Sequence, residues 1–296
     1  MVNEQIKSVQ FQLTTACNER CIFCRKYTWE KKELSIKKLK EKLIKFPNAY
    51  YQFSGGEPTM YSQLAELNKL LVGKHYKVYT NGAVYSSNEE AIKFLENADE
   101  IAISFDAMNH KTYNAIRRPI DEYAFYRVCR TAARFANKAK LSMVVTSENI
   151  KQLPLVLKFA DEIEIKSRFY PVHTNTVGLV VTEEQLANCK VELEKLELKH
   201  KELTNAFSIF EPGYFTTTKE FIPCKARNYS RLVDEVGKEY FCCYAINDNG
   251  TDIEGKYAIP EEVKSFDCNY EYEYCDHCSR YRHFNNNAIS EGPMFM

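Results

Sequence analysis

The sequence predicts an α/β protein, a partial (β/α)6 barrel followed by a small β-rich C-terminal domain. Two observations predict it. Over residues 8–170, short apolar runs of strand length alternate with stretches of helical period, and strict alternation of this kind makes a parallel sheet covered by helices. After residue 205 the composition shifts towards Gly, Asn, Tyr and Cys, with short alternating runs at 231–233 and 239–241. Six βα units are too few for a closed eight-stranded barrel and suit an open one. The division falls at 206/207, giving domains 1–206 and 207–296.

The elements follow in order. Residues 8–13 (SVQFQL) alternate apolar and polar and read as the first strand. A cysteine-bearing loop comes next. Residues 35–46 repeat with helical period, with Ser35 as N-cap and Pro47 past the end. The second strand, 49–53, runs into Ser54-Gly55-Gly56-Glu57-Pro58. A helix at 60–72 leads to a strand at 76–80, which ends at Asn81-Gly82. Helix 88–97, strand 100–105, helix 121–138, strand 140–146, helix 149–160 and strand 162–170 complete the series. Residues 182–205 read as one long helix. Thr182 and Gln185 make a capping box, and Leu186, Cys189, Leu193, Leu196 and Leu203 form an apolar stripe.

Composition narrows the class. Apolar residues make up 45% and charged residues 27% of the 296, enough for a sizeable core and against global disorder. Lys+Arg and Asp+Glu balance at 40 each, so no bulk charge draws the chain to nucleic acid or an anionic membrane. No apolar run reaches the roughly 18 residues of a membrane span, and no secretory h-region is visible at residues 1–10. The reading is cytoplasmic. In that reducing setting, 11 cysteines point to metal ligands or reactive thiols. Cys17, Cys21 and Cys24 lie within eight residues, directly after a strand. Cys224, Cys242, Cys243, Cys268, Cys275 and Cys278 crowd the last quarter. Cys129 and Cys189 stand alone on apolar helix faces, as core thiols do. Three thiolates on one tight loop can hold three irons of a 4Fe–4S cubane and leave the fourth open. On spacing alone, zinc with a distant fourth ligand is the alternative.

The C-x3-C-x2-C loop after strand one, Gly55-Gly56-Glu57-Pro58 after strand two, Thr80-Asn81-Gly82 after strand three and Ser104-Phe105-Asp106 after strand four, with Arg117 and Arg118 beyond, occur in a telling order. Together they resemble the radical S-adenosylmethionine (radical SAM) superfamily over residues 8–170. The resemblance implies a site-differentiated 4Fe–4S cluster on Cys17, Cys21 and Cys24, whose open iron takes S-adenosyl-L-methionine. It implies that Gly55, Gly56, Glu57 and Pro58, with Asn81, Ser104 and Arg117, meet that cosubstrate, Arg118 being an alternative to Arg117.

The spacing Cys224-x12-Gly237-x4-Cys242, with Cys275-x2-Cys278 downstream, resembles the SPASM and twitch domains that carry auxiliary clusters in that superfamily. A hairpin with Gly237 in its tight turn would bring the flanking cysteines together. The resemblance implies one auxiliary 4Fe–4S cluster on Cys224, Cys242, Cys275 and Cys278, with Cys243 and Cys268 as alternative ligands. A zinc ribbon is the alternative on spacing alone. The implied activity is reductive cleavage of S-adenosylmethionine to a 5′-deoxyadenosyl radical, which abstracts a substrate hydrogen atom. An auxiliary cluster would take the second electron, making the net change an oxidation. A low-potential donor such as flavodoxin or ferredoxin is implied, and a small molecule or short peptide is the expected substrate. Arg168, Tyr170 and His173, at the end of the last barrel strand, are candidate substrate contacts. The alternatives are a radical SAM nucleotide-modifying enzyme, a radical epimerase and, from another class, a non-catalytic zinc-binding interaction protein.

Overall fold

The structure is a computed structural model that describes residues 6–24, 30–172, 178–210 and 230–240. Its strands are β1 (Ser8–Gln12), β2 (Tyr50–Ser54), β3 (Tyr76–Thr80), β4 (Glu100–Ser104), β5 (Ala139–Val145), β6 (Lys166–Pro171), β7 (Ser230–Val233) and β8 (Glu239–Tyr240). The helices are α1 (Ile36–Lys45), α2 (Leu64–Leu70), α3 (Glu89–Glu96), α4 (His110–Arg117), α5 (Ala124–Arg134), α6 (Leu153–Glu162) and α7 (Glu183–Glu194). Hydrogen-bonded neighbours run β6-β5-β4-β3-β2-β1-β7-β8, an order with two ends, so the sheet is not closed. β1 pairs in parallel with β2 and β7, β2 with β3, and β5 with β4 and β6; β8 returns antiparallel to β7. The expected α/β class with an open parallel sheet is what the chain adopts.

Local chemistry explains where elements start and stop. Ser35 caps α1, its side chain accepting from the Lys38 N–H, and Asn88 caps α3 in the same way. The capping box of Thr182 and Gln185 opens α7. That helix ends at Glu194, well short of the expected 205. The Asp161 carboxylate accepts from the Lys199 and His200 N–H groups at 3.0 and 2.8 Å and holds the chain off a helical path. The expected helix at 60–72 divides. Pro58–Met60 forms a 3-10 turn capped by Glu57, and α2 starts only at Leu64. Helix α4 was not anticipated by periodicity; Asn109 starts it by accepting from the Thr112 N–H.

The chain forms two compact units, one from residues 1–16, 25–78 and 217–296, the other from 17–24 and 79–216. In the first, Val9, Phe11, Tyr51, Phe53, Tyr76 and Val78 form a buried apolar sheet face, with Phe11 stacked on Phe53 at 5.6 Å. The alternate positions are polar yet buried: Ser8, Gln10, Gln12, Gln52, Ser54 and Lys77. Buried amides need partners. Gln10 donates to the Ser54 hydroxyl at 2.8 Å and Gln52 to the Ser8 hydroxyl at 2.6 Å. In the second unit, Ile101, Ile103, Leu141, Met143, Val145 and Phe169 make the apolar face. Parallel sheets usually bury apolar side chains on both faces; here one buried face is polar.

The expected domain 207–296 lies largely outside the described residues. Its described part is the hairpin β7–β8, with Leu232 opposite Tyr240 and Val233 opposite Glu239. Gly237 sits in the turn at φ +86°, a conformation open to glycine, and Asp234 Oδ1 accepts from the Val236 and Lys238 N–H groups. The buried Glu239 carboxylate takes hydrogen bonds from Lys42 and Lys45 of α1 at 2.5 and 2.8 Å. Burial pushes the Glu239 pKa up, but the hydrogen bonds from the two lysines outweigh it and hold the carboxylate below its ordinary range. A depressed carboxylate stabilises the fold above its unfolded pKa, and that contribution is lost as pH falls through the folded value. Glu239→Gln is therefore expected to cost roughly 1–3 kcal/mol at neutral pH. The difference from wild type should shrink as pH drops into the acid range, which urea unfolding at a series of pH values would measure.

Candidate active site

The end of β1 and the turn after β2 are stitched together by backbone. Gly56 N–H donates to Thr14 O at 2.6 Å and Glu57 N–H to Ala16 O at 2.7 Å. The approach leaves no room for side chains. A Cβ on Gly55, whose φ is +138°, would lie 2.4 Å from Thr14 O, and one on Gly56 would lie 2.3 Å from Ala16 O. These glycines thus fit the segment leading into Cys17. Glu57 is buried, and its Oε1 accepts from the Thr59 N–H and hydroxyl at 3.1 and 2.7 Å. The glutamate caps its own turn, and Pro58 occupies the first position of that turn.

The cysteine loop is tied to α4. Arg20 N–H donates to Arg117 O, Ile22 N–H to Ile116 O and Ile120 N–H to Asn18 O, each at 2.9 Å. Beneath these bonds lies a buried charge network. Arg117 Nε and Nη2 meet Glu19 Oε2 at 2.9 and 2.6 Å, and Nη1 meets Asp106 Oδ2 at 2.7 Å. The Tyr113 hydroxyl donates to Glu19 Oε1, and the Val144 N–H to Asp106 Oδ1 at 2.8 Å. Burial alone would lower the Arg117 pKa, but Cys21 and the carboxylates of Glu19 and Asp106 hold it well above its ordinary value. Burial raises Asp106 despite the guanidinium beside it. Removing one member of a buried pair leaves the other uncompensated, at a cost of about 3–5 kcal/mol.

Cys17 and Cys21 are half-buried and Cys24 is exposed. The Cys24 N–H bonds back to Cys21 O at 3.0 Å, placing the second and third thiols on one turn. Burial pushes the Cys21 thiol up, an effect that metal ligation reverses because the ligand is the thiolate. Among the described residues no three Cys, His, Asp or Glu side chains come together at single-ion spacing. Asn81, the expected site residue after β3, donates to Asn18 Oδ1 at 2.6 Å and lies 4.0 Å from Cys17 Sγ. Ser104 ends β4 half-buried. Arg117, expected to meet a carboxylate, does so, but the carboxylates belong to its own chain. Arg118 caps α4 in the left-handed region at φ 45° and is exposed. Arg168 donates to the carbonyls of Ser167 and Leu203. His173, Cys224, Cys242, Cys243, Cys268, Cys275 and Cys278 lie outside the described residues. Sequence reasoning missed Glu19 and Asp106. A carboxylate set between two motif cysteines was the available signal.

Residues 11–160 match the model of the radical SAM superfamily, a segment that contains the cysteine loop, the Gly55–Pro58 turn and α4. The chain belongs to the radical SAM superfamily. It is 26% identical over 258 residues to mycofactocin maturase MftC of Mycolicibacterium smegmatis, covering 80% of this chain and 64% of that protein. It is 27% identical over 167 residues to an S-adenosylmethionine-dependent nucleotide dehydratase of Flammeovirga pacifica, covering 51% of this chain and 57% of that one. In fold it matches Streptococcus suis SuiB bound to precursor peptide SuiA, with a TM-score of 0.59 at 15% identity, over 94% of this chain and 71% of SuiB. The chain thus spans under two thirds of the length of either curated relative. Among the described residues no helix is long and apolar enough to cross a membrane.

Radical SAM membership implies a 4Fe–4S cluster and S-adenosylmethionine, and the donor set fits the cluster. Three thiols share one short loop, and Glu19, the carboxylate between them, is turned onto Arg117. Two expectations follow. Gly56→Ala should destabilise the fold by roughly 2–3 kcal/mol, because the added methyl meets backbone that cannot swing aside. Arg118→Gly should keep or raise stability, by up to about 1 kcal/mol, since the left-handed cap favours glycine. Thermal unfolding of both variants checks these.

Proposed function

We propose that the chain is a radical SAM oxidoreductase that modifies a short peptide. The observation that carries this reading is the loop of three thiols directly after β1, inside the matched segment 11–160. Cys17, Cys21 and Cys24 hold the catalytic 4Fe–4S cluster. Gly55, Gly56, Glu57 and Pro58 shape the turn that faces the cosubstrate, and Asn81 and Ser104 lie at strand ends suited to polar contact with it. When bound, cluster and S-adenosylmethionine supply one-electron cleavage to a 5′-deoxyadenosyl radical that takes a hydrogen atom from the substrate. The protein's share is to orient the partners and exclude competing reactions.

Residues 207–296 are proposed as a twitch- or SPASM-like domain with one auxiliary 4Fe–4S cluster on Cys224, Cys242, Cys275 and Cys278, which takes the second electron. Supporting this is the β7–β8 hairpin, whose turn carries Gly237 of the spaced motif. The maturase among the relatives, and the precursor peptide held by SuiB, favour a short peptide over a small molecule. A reducing, cytoplasmic setting and a low-potential flavodoxin- or ferredoxin-type donor complete the reading.

A nucleotide substrate is the second reading, supported by the dehydratase similarity. The test is anaerobic reconstitution followed by dithionite, S-adenosylmethionine and assay of 5′-deoxyadenosine. Wild type should produce it, and Cys17→Ala, Cys21→Ala and Cys24→Ala together should abolish it. Cys275→Ala with Cys278→Ala should spare cleavage and lower the iron content by one cluster. Colourless protein that binds only zinc would exclude the whole assignment.

A further inference from the structure

The resemblance places Arg117 against the cosubstrate, yet all three of its guanidinium nitrogens already meet carboxylates of this chain. Nε and Nη2 grip Glu19, and Nη1 grips Asp106. Both Arg117 and Glu19 are buried, 6% and 2% exposed. Glu19 is engaged through both oxygens, Oε2 by Arg117 with the Cys21 Sγ 3.9 Å away, and Oε1 by the Tyr113 hydroxyl. Two N–H groups converging on Oε2, with the Tyr113 hydroxyl on Oε1, fix the carboxylate's direction as well as its distance. Glu19 lies between Cys17 and Cys21, so fixing its side chain fixes the loop. The backbone repeats the arrangement, since Arg20 and Ile22 donate to the carbonyls of Arg117 and Ile116. Asp106 carries the constraint into the sheet, accepting from the Val144 N–H of β5.

We propose that Glu19 and Arg117 form a clamp that holds the Cys17–Cys24 loop on its cluster-binding path, Arg117 acting through Glu19 as a positioning residue. This rests on the reading of the three cysteines as cluster ligands. The clamp works before the cluster arrives. The pair neutralises itself inside the protein, sets the loop's distance from α4, and keeps the Glu19 carboxylate from competing with the thiolates for iron. A lysine at 117 would keep the charge but lose the fork.

The experiment uses the full chain as wild type, Glu19→Gln, Arg117→Lys and the double variant. Three quantities are read: hydrogen exchange at the Arg20 and Ile22 amides before reconstitution, the rate of iron loss from reconstituted protein to a chelator, and the Kd of S-adenosylmethionine for the cluster-loaded fraction. Each single variant should speed exchange at those two amides. Each should also speed iron loss by about tenfold or more, the scale on which outer partners support metal ligands. The double variant should be no worse than the singles, as for residues acting as one unit. The Kd should stay at the wild-type value. A Kd weakened tenfold by Arg117→Lys, with iron loss and both amides unchanged, would make Arg117 a cosubstrate contact and overturn the clamp. Should Arg117→Lys fail to fold, Glu19→Gln decides alone, and wild-type exchange at Arg20 and Ile22 refutes the proposal. If wild type takes up no iron–sulfur cluster, the functional reading fails while the exchange result still decides the clamp.

Discussion

A charge taken out of water must find its opposite nearby, and this requirement organises the region around the cysteine loop. Arg117 is buried on α4, Asp106 at the end of β4 and Glu19 within the loop itself. None of the three would be stable there alone. Together they tie a loop, a helix and the sheet to one point. The three thiols need no packing of their own to be held close, and they can stay partly exposed, where iron and sulfide reach them. The neighbouring Gly55–Glu57 turn applies the same logic through backbone. Its N–H groups are satisfied by the carbonyls of Thr14 and Ala16, the residues leading into Cys17.

The strands in both units carry two different faces. One is apolar and packs as the core. The other holds Ser8, Gln10, Gln12, Gln52, Ser54 and Lys77 in the first unit, and Ser104, Lys140 and Ser142 in the second. Burying so many hydrogen-bonding groups is costly without a purpose for them. Gln10 and Gln52 satisfy themselves across strands. Gln12 keeps its amide Nε2 without a partner among the described residues, one strand position before the cysteine loop begins.

The strands were legible because their signal is local. Alternation at 8–13, 76–80 and 100–105 and the turn residues after them needed no partner to be read, and the observed bounds differ by a residue or so. The caps Ser35, Asn88 and Thr182 were equally local. Errors came where a distant side chain overrides periodicity. Nothing near residue 199 announces that Asp161 takes its N–H. The site shows the same division. The cysteine spacing and the glycines are visible as motifs, but that the glycines fit against the backbone of residues 13–16 is not. The pairing of Glu19 with Arg117, 98 positions apart, is a tertiary fact. An arginine three strands later could as easily have read as solvent-facing.

The parallel pairing of Ser8–Phe11 with Ser230–Val233 has a bearing on how the molecule comes into being. During synthesis, the strand that delivers the catalytic loop keeps one row of N–H and C=O groups bare until the ribosome has passed position 233. A bare edge invites wrong partners, and pairings between remote segments form slowly. A nascent or truncated chain that ends before the late hairpin therefore presents its cysteine loop on a half-finished strand.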